Sequence, residues 1–159
     1  MLAVIKEKIF TKEFGVQIIS MLFIILFTYA AISKLLKYED FKLQLSQSPF
    51  LSAYADALSW GIPASELTIA ALFFFPKLNL EGLWSSFLLM LIFTTYIITV
   101  LNFSDYIPCS CGGIISSLSW NQHLYFNIGF IILAACGILL AHPRKKIPNS
   151  HKTLFNKEL

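Results

Sequence analysis

Charge is what this chain has least of. Only 13% of its 159 residues are Asp, Glu, Lys or Arg, about half the share found in an ordinary soluble domain. That is too few to cover a globule of this size. Three cysteines are too few for a small disulfide-stapled domain. The sequence has no basic stripe and no nucleic-acid-binding motif, so the net charge of +3 does not point to nucleic acid. It also has no internal repeat and no low-complexity tract. What it does have is apolar: 57% of the residues are hydrophobic, the mean hydropathy is +0.70, and the apolar residues lie in long runs. These features describe an integral membrane protein with one membrane domain, whose first partner is the lipid bilayer.

Four runs approach the roughly 20 residues that a helix needs to cross a bilayer. They are residues 16–33, 62–75, 83–103 and 123–141. The expected fold is therefore all-α, an integral membrane four-helix bundle. Its divisions are an N-terminal arm over 1–15, a membrane domain over 16–141 and a basic tail over 142–159. A charged start ahead of an apolar run also fits a cleavable signal peptide, with "TYA" before Ala31 as a weak cleavage site. The run is longer than a usual signal core, and Lys34 follows it closely, which favours a retained helix.

The basic residues give an orientation. Lys6, Lys8 and Lys12 lie in the arm, Lys77 in the second connection, and Arg144, Lys145, Lys146, Lys152 and Lys157 in the tail. The opposite side holds only Lys34, Lys37 and Lys42, so the asymmetry is nine to three. The positive-inside rule then puts both termini in the cytoplasm and the third connection outside. In a bacterium this is a multi-pass inner (cytoplasmic) membrane protein with that loop in the periplasm, an oxidising space where disulfides persist.

The first connection is too long for a simple turn. Ser48-Pro49 reads as an N-cap followed by proline at the first helical position. Phe50, Leu51, Tyr54 and Leu58 then recur at helical spacing, which predicts a short amphipathic helix at the outer interface, between crossings 1 and 2. Gly61-Ile62-Pro63 should end that helix, since the residue before proline is pushed away from helical geometry. The second crossing would start near Pro63, with Glu66 in its first turn, where the helix dipole favours a carboxylate.

The third connection contains "YIPCSCGG", residues 106–113, with Cys109 and Cys111 one residue apart. A disulfide between them would close a very small ring, and departures from relaxed geometry make such a bond easier to reduce. Gly112 and Gly113 supply the backbone freedom that ring needs. The pair reads as a redox-active dithiol, with a static staple as the alternative. Metal binding is weaker, because His123 and two thiolates lack a fourth ligand at a recognisable spacing. Cys136, midway along the fourth run, reads as a small buried hydrophobe.

Lys34 closes the first crossing and Glu66 opens the second, at the same expected depth. An ionisable residue inside a membrane segment marks a functional site and calls for a partner. The two read as an ion pair, which either fixes helix packing or holds positive charge near the cysteines to favour a thiolate. His123, at the mouth of the fourth crossing, is a candidate proton relay. Trp120 beside it reads as an aromatic anchor at the interface.

Three stretches together carry a family likeness: "YAAISKL" at the end of the first crossing, "IPASELTIA" opening the second, and "PCSCGG" before the fourth. The chain resembles the MauE branch of the DoxX-like membrane proteins over about residues 16–140. The resemblance implies a role in helping a partner protein acquire its disulfides, beside a thioredoxin-like or other thiol-bearing protein. The architecture is also similar to that of the vitamin K epoxide reductase and DsbB-type oxidoreductases, which use a Cys-x-x-Cys pair and a quinone. This chain has Cys-x-Cys and no second pair. Three expectations follow. The first is a thiol–disulfide exchange component with Cys109 and Cys111 as the reacting residues and Lys34, Glu66 and His123 in support. The second is a non-catalytic assembly subunit with a structural disulfide. The third is a quinone-associated subunit, quinone being the one cofactor the resemblance suggests.

Overall fold

Three stretches form helices long and apolar enough to cross a bilayer: Lys12–Leu36, Pro76–Phe103 and Asn121–Ala141. The structure is a computed structural model. It describes the backbone of residues 2–48, 50–103 and 120–141 and the side chains of 12–48, 50–103 and 121–141. Every regular element among those residues is helical. They are α1 (Leu2–Leu36), α2 (Tyr38–Ser46), α3 (Ala55–Leu72), α4 (Asn79–Phe103) and α5 (Trp120–Ala141), with 3₁₀ turns at Ser52–Tyr54 and Pro76–Leu78.

Helix α1 packs on α3 and α5, and α4 packs on α5 and α3. The long helices are apolar on both their inner and outer faces, as membrane helices are and soluble surface helices are not. On α1, Phe23 and Phe27 are fully buried while Met21 and Ile25 are exposed. On α5, Ala134 is buried while Ile132 and Leu139 are exposed. Phe23 anchors the core. Its ring lies 5.7 Å from that of Phe27, 6.1 Å from Phe73 and 5.4 Å, edge-on, from Phe130. Such aromatic contacts add to the burial of large apolar area.

Small residues bring these helices close. A Cβ built on Gly137 would lie 2.8 Å from Leu83 Cδ2 and 3.2 Å from Ile19 Cγ2, so α5 meets α4 and α1 where a side chain has no room. A Cβ on Gly82 would lie 2.9 Å from the Phe73 ring.

The stretch between α1 and α3 departs from the expectation. The chain turns at Lys37, with φ −114° and ψ 44°. It then forms α2, which has Glu39 and Asp40 in its first turn and buries Phe41 and Leu45, four residues apart on one face. The expected amphipathic helix starting at Ser48-Pro49 is not a single helix. Residues 52–54 form a 3₁₀ turn and α3 begins at Ala55. Phe50 and Tyr54 are exposed, whereas Leu51 and Leu58 pack on a small core of Phe41, Leu45 and Ala55.

Nor does Pro63 end a helix, because α3 runs straight through it. Proline leaves the carbonyl four residues earlier, that of Ser59, without its helical N–H. Tertiary contacts from α2 hold the preceding turn in place. Tyr38 Oη lies 3.1 Å from Ser59 Oγ, Ser59 Oγ donates to the Asp56 carbonyl at 2.8 Å, and Phe41 and Leu45 pack on Ala55, Leu58 and Ile62. Local preference yields to that packing, as it does for proline in membrane helices. The register shift also moves Glu66 from a first turn to the interior of α3, so the dipole argument for it does not hold.

At 18 residues, α3 is about 27 Å long. With Asp56, Ser59, Ser65, Glu66 and Thr68 it is more polar than α4 and α5. It overlaps the expected second crossing, 62–75, but runs over Ala55–Leu72 and is not among the helices that are long and apolar enough to cross a bilayer. It ends before Phe75, whose extended backbone suits the residue before Pro76.

Candidate functional site

The site is built on two charges that would be unfavourable alone. Lys34 lies in the last turn of α1, and its Nζ donates to Glu66 Oε1 at 2.7 Å. Glu66 is 1% exposed and Lys34 9%, so the pair is desolvated on both sides. The ammonium makes one further, long contact with the Ala30 carbonyl at 3.4 Å, and it sits 5.9 Å from the centre of the Phe41 ring. A buried pair of this kind holds its helices in register, because separating the partners leaves an uncompensated charge in an apolar place.

The pair lies in the wall of a cavity of about 500 Å³ to which all five helices contribute. The walls are mostly apolar, with Phe27 of α1, Leu45 of α2, Ile62 of α3, Met90 of α4 and Phe126 of α5 among them. A few polar groups converge on it. His123 is half-buried there, and Asn127, one turn later on α5, is 3% exposed. Tyr96 of α4 also lines it, and its hydroxyl lies 2.9 Å from Ser48 Oγ, which ties the segment after α2 to α4. A large apolar cavity with a small set of convergent polar groups is the usual form of a small-molecule site.

The cavity occupies the end of the molecule where α1 and α4 finish and α5 begins. Cys109 and Cys111 belong to the sequence between Phe103 and Trp120 and lie outside the described residues. Of the expected site residues, the structure brings Lys34, Glu66 and His123 to one cavity. Cys136 differs from expectation: it is exposed on the outer face of α5. Hydropathy cannot separate a residue facing lipid from one facing a helix, since both are apolar. Asn127, Tyr96 and Ser48 are contributors that sequence reasoning misses. The signal for Asn127 was available, because an amide four residues after His123 in an apolar run needs a polar partner or a cavity.

Comparison with known proteins gives one result. Searches of curated proteins and of solved structures each find no match. The family described as methylamine utilisation protein MauE matches residues 12–140, a span that takes in α1 from Lys12, the buried pair, the cavity and nearly all of α5. The chain is a membrane protein that belongs to the MauE family.

Proposed function

We propose that this protein assists thiol–disulfide exchange at the outer face of a bacterial inner membrane. In this reading α1, α3, α4 and α5 make four crossings with both termini cytoplasmic, and the amphipathic α2 lies at the outer interface. Cys109 and Cys111 are in the periplasmic connection. The observation that supports it best is the placement of the cavity. The only buried ion pair among the described residues, together with His123 and Asn127, gathers at the helix ends from which the cysteine-bearing connection departs.

The exchange balances without a further reagent. A partner thiolate attacks one sulfur of the Cys109–Cys111 disulfide, and the other sulfur leaves as thiolate. The partner's second thiolate then attacks the mixed disulfide. The partner is left oxidised by two electrons and the cysteine pair reduced. Lys34 shares its charge with Glu66, so the pair's contribution is to fix α1 against α3.

Single Cys109→Ser and Cys111→Ser variants test the reading. The exchange is reversible, and in these variants the remaining thiolate attacks an oxidised partner, one partner sulfur leaving as thiolate. The variant that keeps the attacking cysteine should trap a covalent, reducible complex that the missing cysteine would have resolved, and the other should not. If both variants lose stability equally, neither traps a partner, and the wild-type pair stays oxidised under every redox condition, the cysteines are a structural staple.

A further inference from the structure

We infer that the cavity binds a neutral amphiphile: a small apolar body carrying one hydroxyl or N–H donor, received by Glu66. The inference goes beyond the thiol reading and does not rest on it. It begins with an atom. Glu66 Oε1 is bonded to Lys34, whereas Oε2 is buried and has no hydrogen-bond partner among the described residues. A buried acceptor left without a donor is destabilising, and more so when it carries charge. Glu66 lines the cavity, so this oxygen marks an unsatisfied polar point in a mostly apolar chamber.

The surroundings select the class of ligand. Lys34 already neutralises the carboxylate, so a cationic head would leave a net charge in an apolar chamber. An anionic head would meet the free carboxylate oxygen and be repelled. A purely apolar molecule would leave Oε2 unsatisfied. A neutral donor meets the requirement, and Asn127 can bond the same head group from the α5 wall through its amide. About 500 Å³ accommodates a ring or short chain beneath that head. Entry is from the side. Gly61 of α3 and Ile92 of α4 both line the cavity and are both exposed, which puts an opening on the outer surface of these helices.

The experiment uses the full chain, purified in detergent micelles, with two probes of nearly the same shape. These are para-octylphenol, which carries a donor, and para-octylanisole, its methyl ether, which does not. Dissociation constants are measured by equilibrium dialysis against protein-free micelles. The phenol should bind about tenfold more tightly than the ether, the ratio expected for a hydrogen bond to a charged group. Lys34→Met/Glu66→Leu should bind both equally. Gly61→Val should weaken both, because a Cβ there meets nothing within 4 Å and a larger side chain narrows the opening without disturbing the core. The Cys109→Ser/Cys111→Ser variant should keep the wild-type preference, which separates this result from the fate of the thiol reading. Equal binding of phenol and ether by the wild type, or a preference that survives in the Lys34→Met/Glu66→Leu variant, overturns the inference. So does Gly61→Val binding as tightly as wild type.

Discussion

Replacing Lys34 by Met, Glu66 by Leu, and then both, measures what the buried pair does. Neither partner has a replacement at hand. The side chains are 11% and 2% exposed, and among the described residues the only other hydrogen bond of the ammonium is the 3.4 Å one to the Ala30 carbonyl. Each single variant therefore strands a charge and should lose about 3–5 kcal/mol of stability, whereas the apolar double variant should lie within about 2 kcal/mol of wild type or above it. If the two singles were independent, the double would lose about 6–10 kcal/mol. The difference, about 4 kcal/mol or more, is the coupling energy. Unfolding of the purified protein in mixed micelles by increasing SDS, followed by circular dichroism, gives all four values.

The Lys42–Asp56 pair is the internal control. Its distance is the same 2.7 Å, but its side chains are 42% and 87% exposed, so Lys42→Ala should leave the unfolding curve in place. A double variant that is simply the sum of its singles would refute the reasoning, because Lys34 and Glu66 would then each be satisfied by something other than the other.

Two further outcomes can be measured on the same protein. Gly137→Ala should cost about 1–3 kcal/mol, because its Cβ meets Leu83 at 2.8 Å. Gly129→Ala on the same helix meets nothing within 4 Å and should gain about 0.5–1 kcal/mol from helix propensity alone; the same SDS titration reads both, and equal effects would contradict the close α4–α5 approach. A membrane-impermeant thiol reagent applied to intact cells after mild reduction should label Cys109 and Cys111 but not a cysteine added to the tail, and labelling of the tail alone would reverse the proposed orientation.

The parts of this molecule that hydropathy controls are legible from the sequence. The runs that became α1, α4 and α5 are long and apolar, and their C-terminal ends at 33, 103 and 141 fall close to Leu36, Phe103 and Ala141. The Lys34–Glu66 contact is legible too, because charges are so few that two of opposite sign near one membrane surface have few alternatives. Its local setting is not. Pro63 and Gly61 are strong breakers in isolation, and only the contacts of Tyr38 and the Phe41 cluster with α3 explain why the helix continues through them. The cavity is illegible for a different reason. It is made from gaps between five helices, and residues such as Phe27, Met90 and Phe126 look like ordinary core until the space between them is seen. The outward position of Cys136 has the same origin, since lipid and protein interior reward the same side chains.

The ion pair also sets a sequence of events during synthesis. Glu66 lies 32 residues after Lys34, so at ordinary elongation rates it emerges about 2–6 s later. For that interval α1 ends in an ammonium with no acid, and the long lysine stem lets that charge reach toward the headgroups. In the proposed topology α3 arrives next and brings the carboxylate, so the first two crossings settle as a neutral hairpin before α4 and α5 exist. The core contacts of Phe23 with Phe73 can close at that stage, whereas its contact with Phe130 waits for the last helix. A chain interrupted between residues 34 and 66 would hold an unanswered positive charge at the membrane surface, a mark by which quality control could tell an unfinished molecule from a finished one.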